Sequence, residues 1–164
     1  MTGGKLRVWN GANGTMLPCN TVNGDCSLAI DPCAPNMGQQ PGTKVFVAGD
    51  HRANEQPGLL SMHTLFVLEH NRVCSLLIAD HGLTDDDEIY QRARKVVTGK
   101  LQAITYNEVL PALGIQLSPY AGYMVDAQPD VSNLFATAAF RLGHTMVPSR
   151  LLLVDNTEQF VTTP

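Results

Sequence analysis

The sequence predicts a mainly α-helical fold. Three observations carry that reading: apolar residues recur at helical spacing from Pro57 onward, proline and glycine punctuate the ends of those stretches, and residues 1–44 show little periodicity. The first 44 residues hold Gly, Pro, Asn and three of the four cysteines, and read as a long irregular loop with a short extended piece at Lys5–Trp9. Pro57 suits a first helical position, with Asn54 or Glu55 near the cap. Leu59, Leu60, Met62, Leu65, Phe66, Leu68, Val73, Leu76, Leu77 and Ile78 cover more than one face, so this helix is expected to be buried; Gly82 stops it. A second helix is announced by Thr84 as cap and by Asp85, Asp86 and Asp87 at the positive end of its dipole. Its stripe is one-sided, through Ile89, Ala93, Val96, Val97, Leu101 and Ile104, and it is expected to end before Pro111. Residues 115–128 are loop. A third helix is expected from Pro129-Asp130 to just before Pro148, with Val131, Leu134, Phe135, Ala138 and Leu142 on its apolar stripe. The run Leu151–Val154 reads as a short strand or a turn of helix.

Composition narrows the function classes. The formal net charge is −4, a poor match for phosphate backbones or anionic membranes, so no nucleic-acid partner is expected. Charged residues make up 16% of the chain, against about 25% in an average globular domain. That shortfall points to surface normally covered by other protein. No apolar run reaches the roughly 20 residues of a membrane span, and Met1–Lys5 has no apolar segment behind it to make a signal peptide. Cys19, Cys26 and Cys33 stand seven apart, which is not zinc-ligand spacing; a disulfide among them fits an oxidising compartment. Cys74, within an apolar helical pattern, reads as a buried small hydrophobe. Asn13-Gly14-Thr15 matches the glycosylation sequon, a short pattern that points only weakly to the secretory pathway.

Three clusters offer chemistry. At 100° per residue His144 lies about 200° around its helix from Leu142, on a second face with Thr137, Phe140 and Arg141. An imidazole there can ligate iron, a phenyl ring can pack a macrocycle and a guanidinium can pair with a propionate; a satisfied core histidine beside a surface arginine is the plainer account. Arg52 and Glu55 stand three apart at a helix entrance, where a capping pair is the plain account. The functional one needs a buried arginine that stabilises developing negative charge and a carboxylate that meets a cofactor. His63 and His70 are two turns apart, too far for a chelating pair, and read as structural; Asp85–Glu88 lacks the alternating oxygens of a calcium loop.

Together the motifs carry a resemblance. Val45-Phe46-Val47-Ala48-Gly49-Asp50-His51-Arg52-Ala53-Asn54-Glu55, Ser61–Leu65 followed by Glu69–Arg72, Tyr90–Val97, Gln102–Tyr106, and Val131–Phe135 through Ala139–Thr145 closely resemble the animal haem peroxidase family, in family order and at family-like distances. The resemblance covers nearly all of residues 1–160 and implies the central part of a haem peroxidase catalytic domain. Residues 45–164 would then hold its distal-side and proximal helices, with the rest of the domain as partner. It implies haem b as cofactor, with His144 as proximal iron ligand and Arg141 as a propionate partner. Arg52 would polarise bound peroxide from the opposite face, and Glu55 would form an ester with a haem methyl group. Hydrogen peroxide would then drive oxidation of a halide or phenolic donor through an oxyferryl haem, in a secreted or extracellular protein. Some members carry a methionine after the glutamate that makes a sulfonium link; Gln56 stands here, so that link is not expected. Val45 stands where a cysteine is common, so the usual loop disulfide is expected to be rearranged or missing. The distal histidine with its aspartate, the calcium loop and the asparagine that orients the proximal imidazole have no counterpart within these residues, and calcium is expected of the family without ligands here. His51, beside Arg52, is not assigned as the distal base. The rival readings are a non-catalytic peroxidase-like interaction module and a truncated helical fragment without cofactor.

Overall fold

A computed structural model describes residues 2–12, 14–31, 42–149, 152–154 and 160–162. Asn13 of the sequon and Cys33 lie outside the described residues. The chain divides into two compact units, Met1–Ser118 and Pro119–Pro164, and the division falls inside the loop expected from the sequence.

The first unit is organised by two long helices. α1 spans Pro57–His81 and α2 spans Asp86–Ile104. Pro57 opens α1 as expected, because its missing N–H is one the first turn leaves unpaired anyway. The cap is not Asn54 or Glu55 but Gln56, which the following proline holds extended (φ −156°, ψ 154°) and whose side chain accepts from Gly58 N–H at 2.7 Å. Gly82 closes α1 in the left-handed region at φ 62°, where only glycine is free of strain, and its N–H donates to the Ile78 carbonyl. α2 is capped one residue later than expected, by Asp85 rather than Thr84: the Asp85 carboxylate accepts from Glu88 N–H at 2.7 Å.

The helix also outlasts the sequence expectation. Pro111 was to end it; instead a π turn at Thr105–Val109 leads into a last short helix, α3, at Leu110–Ala112. Widening the turn re-pairs backbone groups around a residue that has no N–H, with Leu110 N–H reaching back to the Thr105 carbonyl.

The core lies where α1 crosses α2. Val73, Cys74, Ile89 and Ala93 are buried together, flanked by Leu77 and Leu83. Ala93, fully buried, is small enough to let the helices approach. Cys74 is the buried hydrophobe expected, and burial pushes its thiol up from the ordinary value. The expectation that all of α1 is buried does not hold: only His70, Val73 and Cys74 are, while Met62 and Leu65 are about half exposed. Within the first unit α1 faces α2 on one side and, around Leu60 and Leu68, the loop residues Leu17 and Phe46 on another, and many of its residues are only half-buried. Beside the core an open groove of about 500 Å3 runs between the helices, lined by Leu59, Phe66, Tyr90 and Leu101 among others.

The N-terminal segment straps across this pair. Gly4, at φ 65°, lies so close to α2 that a Cβ would stand 2.5 Å from Tyr90 N. Its carbonyl accepts from the buried His70 ring at 3.1 Å, which makes His70 the structural histidine expected. Asn71 clamps Leu6, accepting its N–H at 2.7 Å and donating to its carbonyl at 2.9 Å. The extended piece begins at Trp9, not Lys5: β1 (Trp9–Gly11) pairs antiparallel with β2 (Gly14–Met16), Trp9 opposite Met16. Cys19 and Cys26 form a disulfide, one of the pairings open among the loop cysteines.

In the second unit α4 covers only Asn133–Thr137, capped by Ser132, and a 3-10 helix follows at Ala139–Met146. The single third helix is therefore corrected: Ala138, at φ −122° and ψ −65°, breaks the α geometry. β3 (Leu152–Val154) pairs antiparallel with β4 (Phe160–Thr162), so the last apolar run is a strand.

Candidate functional site

Arg52 and Glu55 sit on the tight turn that feeds α1. Upstream, Val45 N–H donates to Asn20 Oδ1 at 2.9 Å and Asn20 N–H to the Val45 carbonyl at 2.9 Å. Cys19 bridges Phe46, and Val47 N–H reaches the Pro18 carbonyl at 2.7 Å, so the incoming strand is tied to the disulfide loop. The chain then turns through Asp50, whose Oδ1 accepts from Arg52 N–H at 2.8 Å, an Asx turn. The same carboxylate takes the Arg52 side chain on both oxygens, Nε at 3.1 Å and a terminal nitrogen at 2.8 Å. Ala53 is fully buried beneath, and Glu55 N–H closes onto the Arg52 carbonyl at 2.9 Å.

The electrostatics follow. The hydrogen bonds from Arg52 hold Asp50 far below the usual carboxylate range, and those to Asp50 raise Arg52 further, with a smaller contribution from Glu55. Arg52 stays a cation at any working pH. Two expectations change. Arg52 and Glu55 are not a capping pair, since Gln56 does that work. Nor does the first unit bury the guanidinium: the Arg52 side chain is 59% exposed.

Arg141 and His144 lie on the 3-10 helix. With three residues per turn, positions three apart eclipse, so the two side chains share one edge. Phe140 leaves that edge, against the expectation from α-helical spacing, and faces Phe135 with ring centroids 6.0 Å apart. Both Arg141 and His144 are exposed, and neither side chain has a hydrogen-bond or ionic partner among the described residues.

Among the described residues no three His, Cys, Asp or Glu side chains converge. A haem iron needs only one protein nitrogen, so the donor chemistry fits a macrocycle: one imidazole without a partner among the described residues and a guanidinium one turn before it. His51 acts on the first arrangement only as a minor positive charge near Asp50, and His63 lines the groove between α1 and α2. Sequence reasoning missed Asp50, Asn54 and Gln56. Asp50 and Gln56 had local signals, an Asx position two before Arg52 and a residue held extended by Pro57. Asn54 had none, since its partner, Phe46, lies eight residues back.

The family profile described as animal haem peroxidase matches residues 1–164. Thyroid peroxidase of Sus scrofa is 40% identical over 159 residues, covering 87% of this chain and 17% of that protein. Peroxidasin homolog pxn-2 of Caenorhabditis elegans is 42% identical over 129 residues, 75% of this chain and 10% of that protein. The structure of peroxidase A from Dictyostelium discoideum superposes with a TM-score of 0.80 at 31% identity, covering 98% of this chain and 30% of that one. The chain thus spans less than a third of the length of each of these relatives.

Proposed function

Because this chain belongs to the animal haem peroxidase family, we propose that it forms the central part of a haem peroxidase domain that uses hydrogen peroxide to oxidise a halide or phenolic donor. What supports the reading is one observation: the family profile runs the whole length of the chain, with a guanidinium at 52, a carboxylate at 55 and an imidazole at 144 in the motifs that carry the resemblance.

In this reading His144 is the iron's protein ligand and Arg141 pairs with a propionate. Arg52 would supply a fixed positive charge that favours negative charge developing on the peroxide oxygen. Glu55, one turn from Arg52 and exposed, is the carboxylate that meets a haem methyl group. Haem, when bound, would supply the redox chemistry; His144 and Arg141 would hold it, and Arg52 would supply a fixed cation. Asp50 does not neutralise this role. It fixes the guanidinium through Nε and one terminal nitrogen and leaves the side chain more than half exposed. The remainder of the peroxidase domain is the expected cover for the exposed apolar faces.

The disulfide between Cys19 and Cys26 supports a secreted or extracellular protein. No helix among the described residues is long and apolar enough to cross a membrane. The test is guaiacol oxidation by the haem-loaded full-length gene product. Arg52→Ala is expected to lower kcat/KM for peroxide by about 10²–10³-fold. Unchanged turnover removes Arg52 from the mechanism, and absence of haem from the purified full-length protein favours the non-catalytic module.

A further inference from the structure

We infer that Asn54 is a positioning residue for Arg52, an inference that rests on the role proposed for Arg52 above. Asn54 uses both ends of its amide on one residue: its Oδ1 accepts from Phe46 N–H at 3.0 Å and its Nδ2 donates to the Phe46 carbonyl at 2.7 Å. This closes the turn 46–54 at its base. The far side of Phe46 is already held, by the bridge to Cys19 and by Val47 N–H on the Pro18 carbonyl. Asn54 therefore anchors the turn to the part of the loop region tied to Pro18 and Cys19. At the tip, Asp50 reads the backbone of the same turn through Arg52 N–H and the Arg52 side chain through Nε with one oxygen. The direction of the guanidinium is thus set by Asp50, the place of Asp50 by the turn, and the closure of the turn by Asn54. An exposed arginine without such a frame samples many rotamers.

The alternative is that Asn54 merely stabilises the fold. Asn71 provides the control, because it makes the same two-ended clamp, on Leu6, away from Arg52. Two readouts are compared in Asn54→Ala and Asn71→Ala: amide hydrogen exchange of Arg52 in the haem-free protein, and steady-state kinetics of the haem-loaded full-length protein. Asn54→Ala is expected to speed Arg52 exchange at least tenfold. It should also lower kcat/KM for peroxide about tenfold or more, with haem content and kcat/KM for the donor unchanged. Asn71→Ala should do neither selectively. If alanine at 54 prevents folding, Asn54→Asp keeps the acceptor for Phe46 N–H and should show the same selective pattern, smaller. Arg52 exchange unchanged in the position-54 variant, or peroxide and donor constants falling together with haem content in both variants, overturns the inference. A peroxide defect in Arg52→Ala with none in the position-54 variant overturns it as well. No peroxide defect in Arg52→Ala itself overturns instead the role given to Arg52.

Discussion

Three asparagines tie the loops of the first unit, each clamping backbone from both ends of its amide: Asn20 on Val45 and Thr43, Asn54 on Phe46, Asn71 on Leu6. Such a clamp does what a strand neighbour does, satisfying an N–H and a C=O that would otherwise lie half-buried and unpaired. None was legible in the sequence, because the partner lies eight to sixty-five residues away and no spacing announces it. Glu69 shows the same division. Its pairing with Arg72, at 2.7 and 3.0 Å, follows from i, i+3 spacing on α1; its second partner, Lys100 on α2, does not. The hydrogen bonds from Arg72, then Lys100, hold the Glu69 carboxyl down at about 2. A carboxyl depressed on folding contributes stability that is present above its ordinary value near 4.5 and is lost as pH falls toward 2. The α1–α2 pair should therefore loosen across that interval, and Glu69→Gln should flatten that part of the acid transition at a cost of roughly 1 kcal/mol at neutral pH. Circular dichroism against pH checks both; an unchanged acid transition in the variant removes Glu69 from the pairing.

Helix ends and faces were legible where the signal is local. Pro57, Gly82 and the acids at the start of α2 are chemical punctuation, and the structure uses each. Reading failed where two geometries share a signal. Val131, Leu134, Phe135 and Ala138 fit an α stripe, but spacing of three also fits a 3-10 helix, and the sequence does not display the break at Ala138. At Pro111 the rule that proline ends a helix was overridden by the wider turn before it. The one-sided stripe of α2 was read correctly in Ile89 and Ala93, which meet Val73 and Cys74 of α1. Ile89 is 1% exposed, so Ile89→Ala should destabilise the helix pair by about 2–5 kcal/mol. Chemical denaturation followed by helical circular dichroism measures this; a loss under 1 kcal/mol would mean the pair is not held together at that contact.

For the molecule as a whole, the low charge read from the sequence has its counterpart in the structure. Leu65 of α1 and, in the second unit, Leu134 and Phe140 lie exposed, and the chain matches no more than 30% of the length of the relatives described above. The family was legible because its motifs are strings of chemistry-bearing residues in fixed order; the exposure of Arg52 was not, because it depends on how the turn before α1 packs and not on any local spacing. The account stands on the imidazole at 144. Its most direct test is a titration of the haem-free full-length gene product with ferric haem, followed by Soret absorbance, in the unmodified protein, in Arg52→Ala and in His144→Ala. The account predicts a saturable Soret band in the first two and its loss in the third. A band of the same position and affinity in His144→Ala would contradict it.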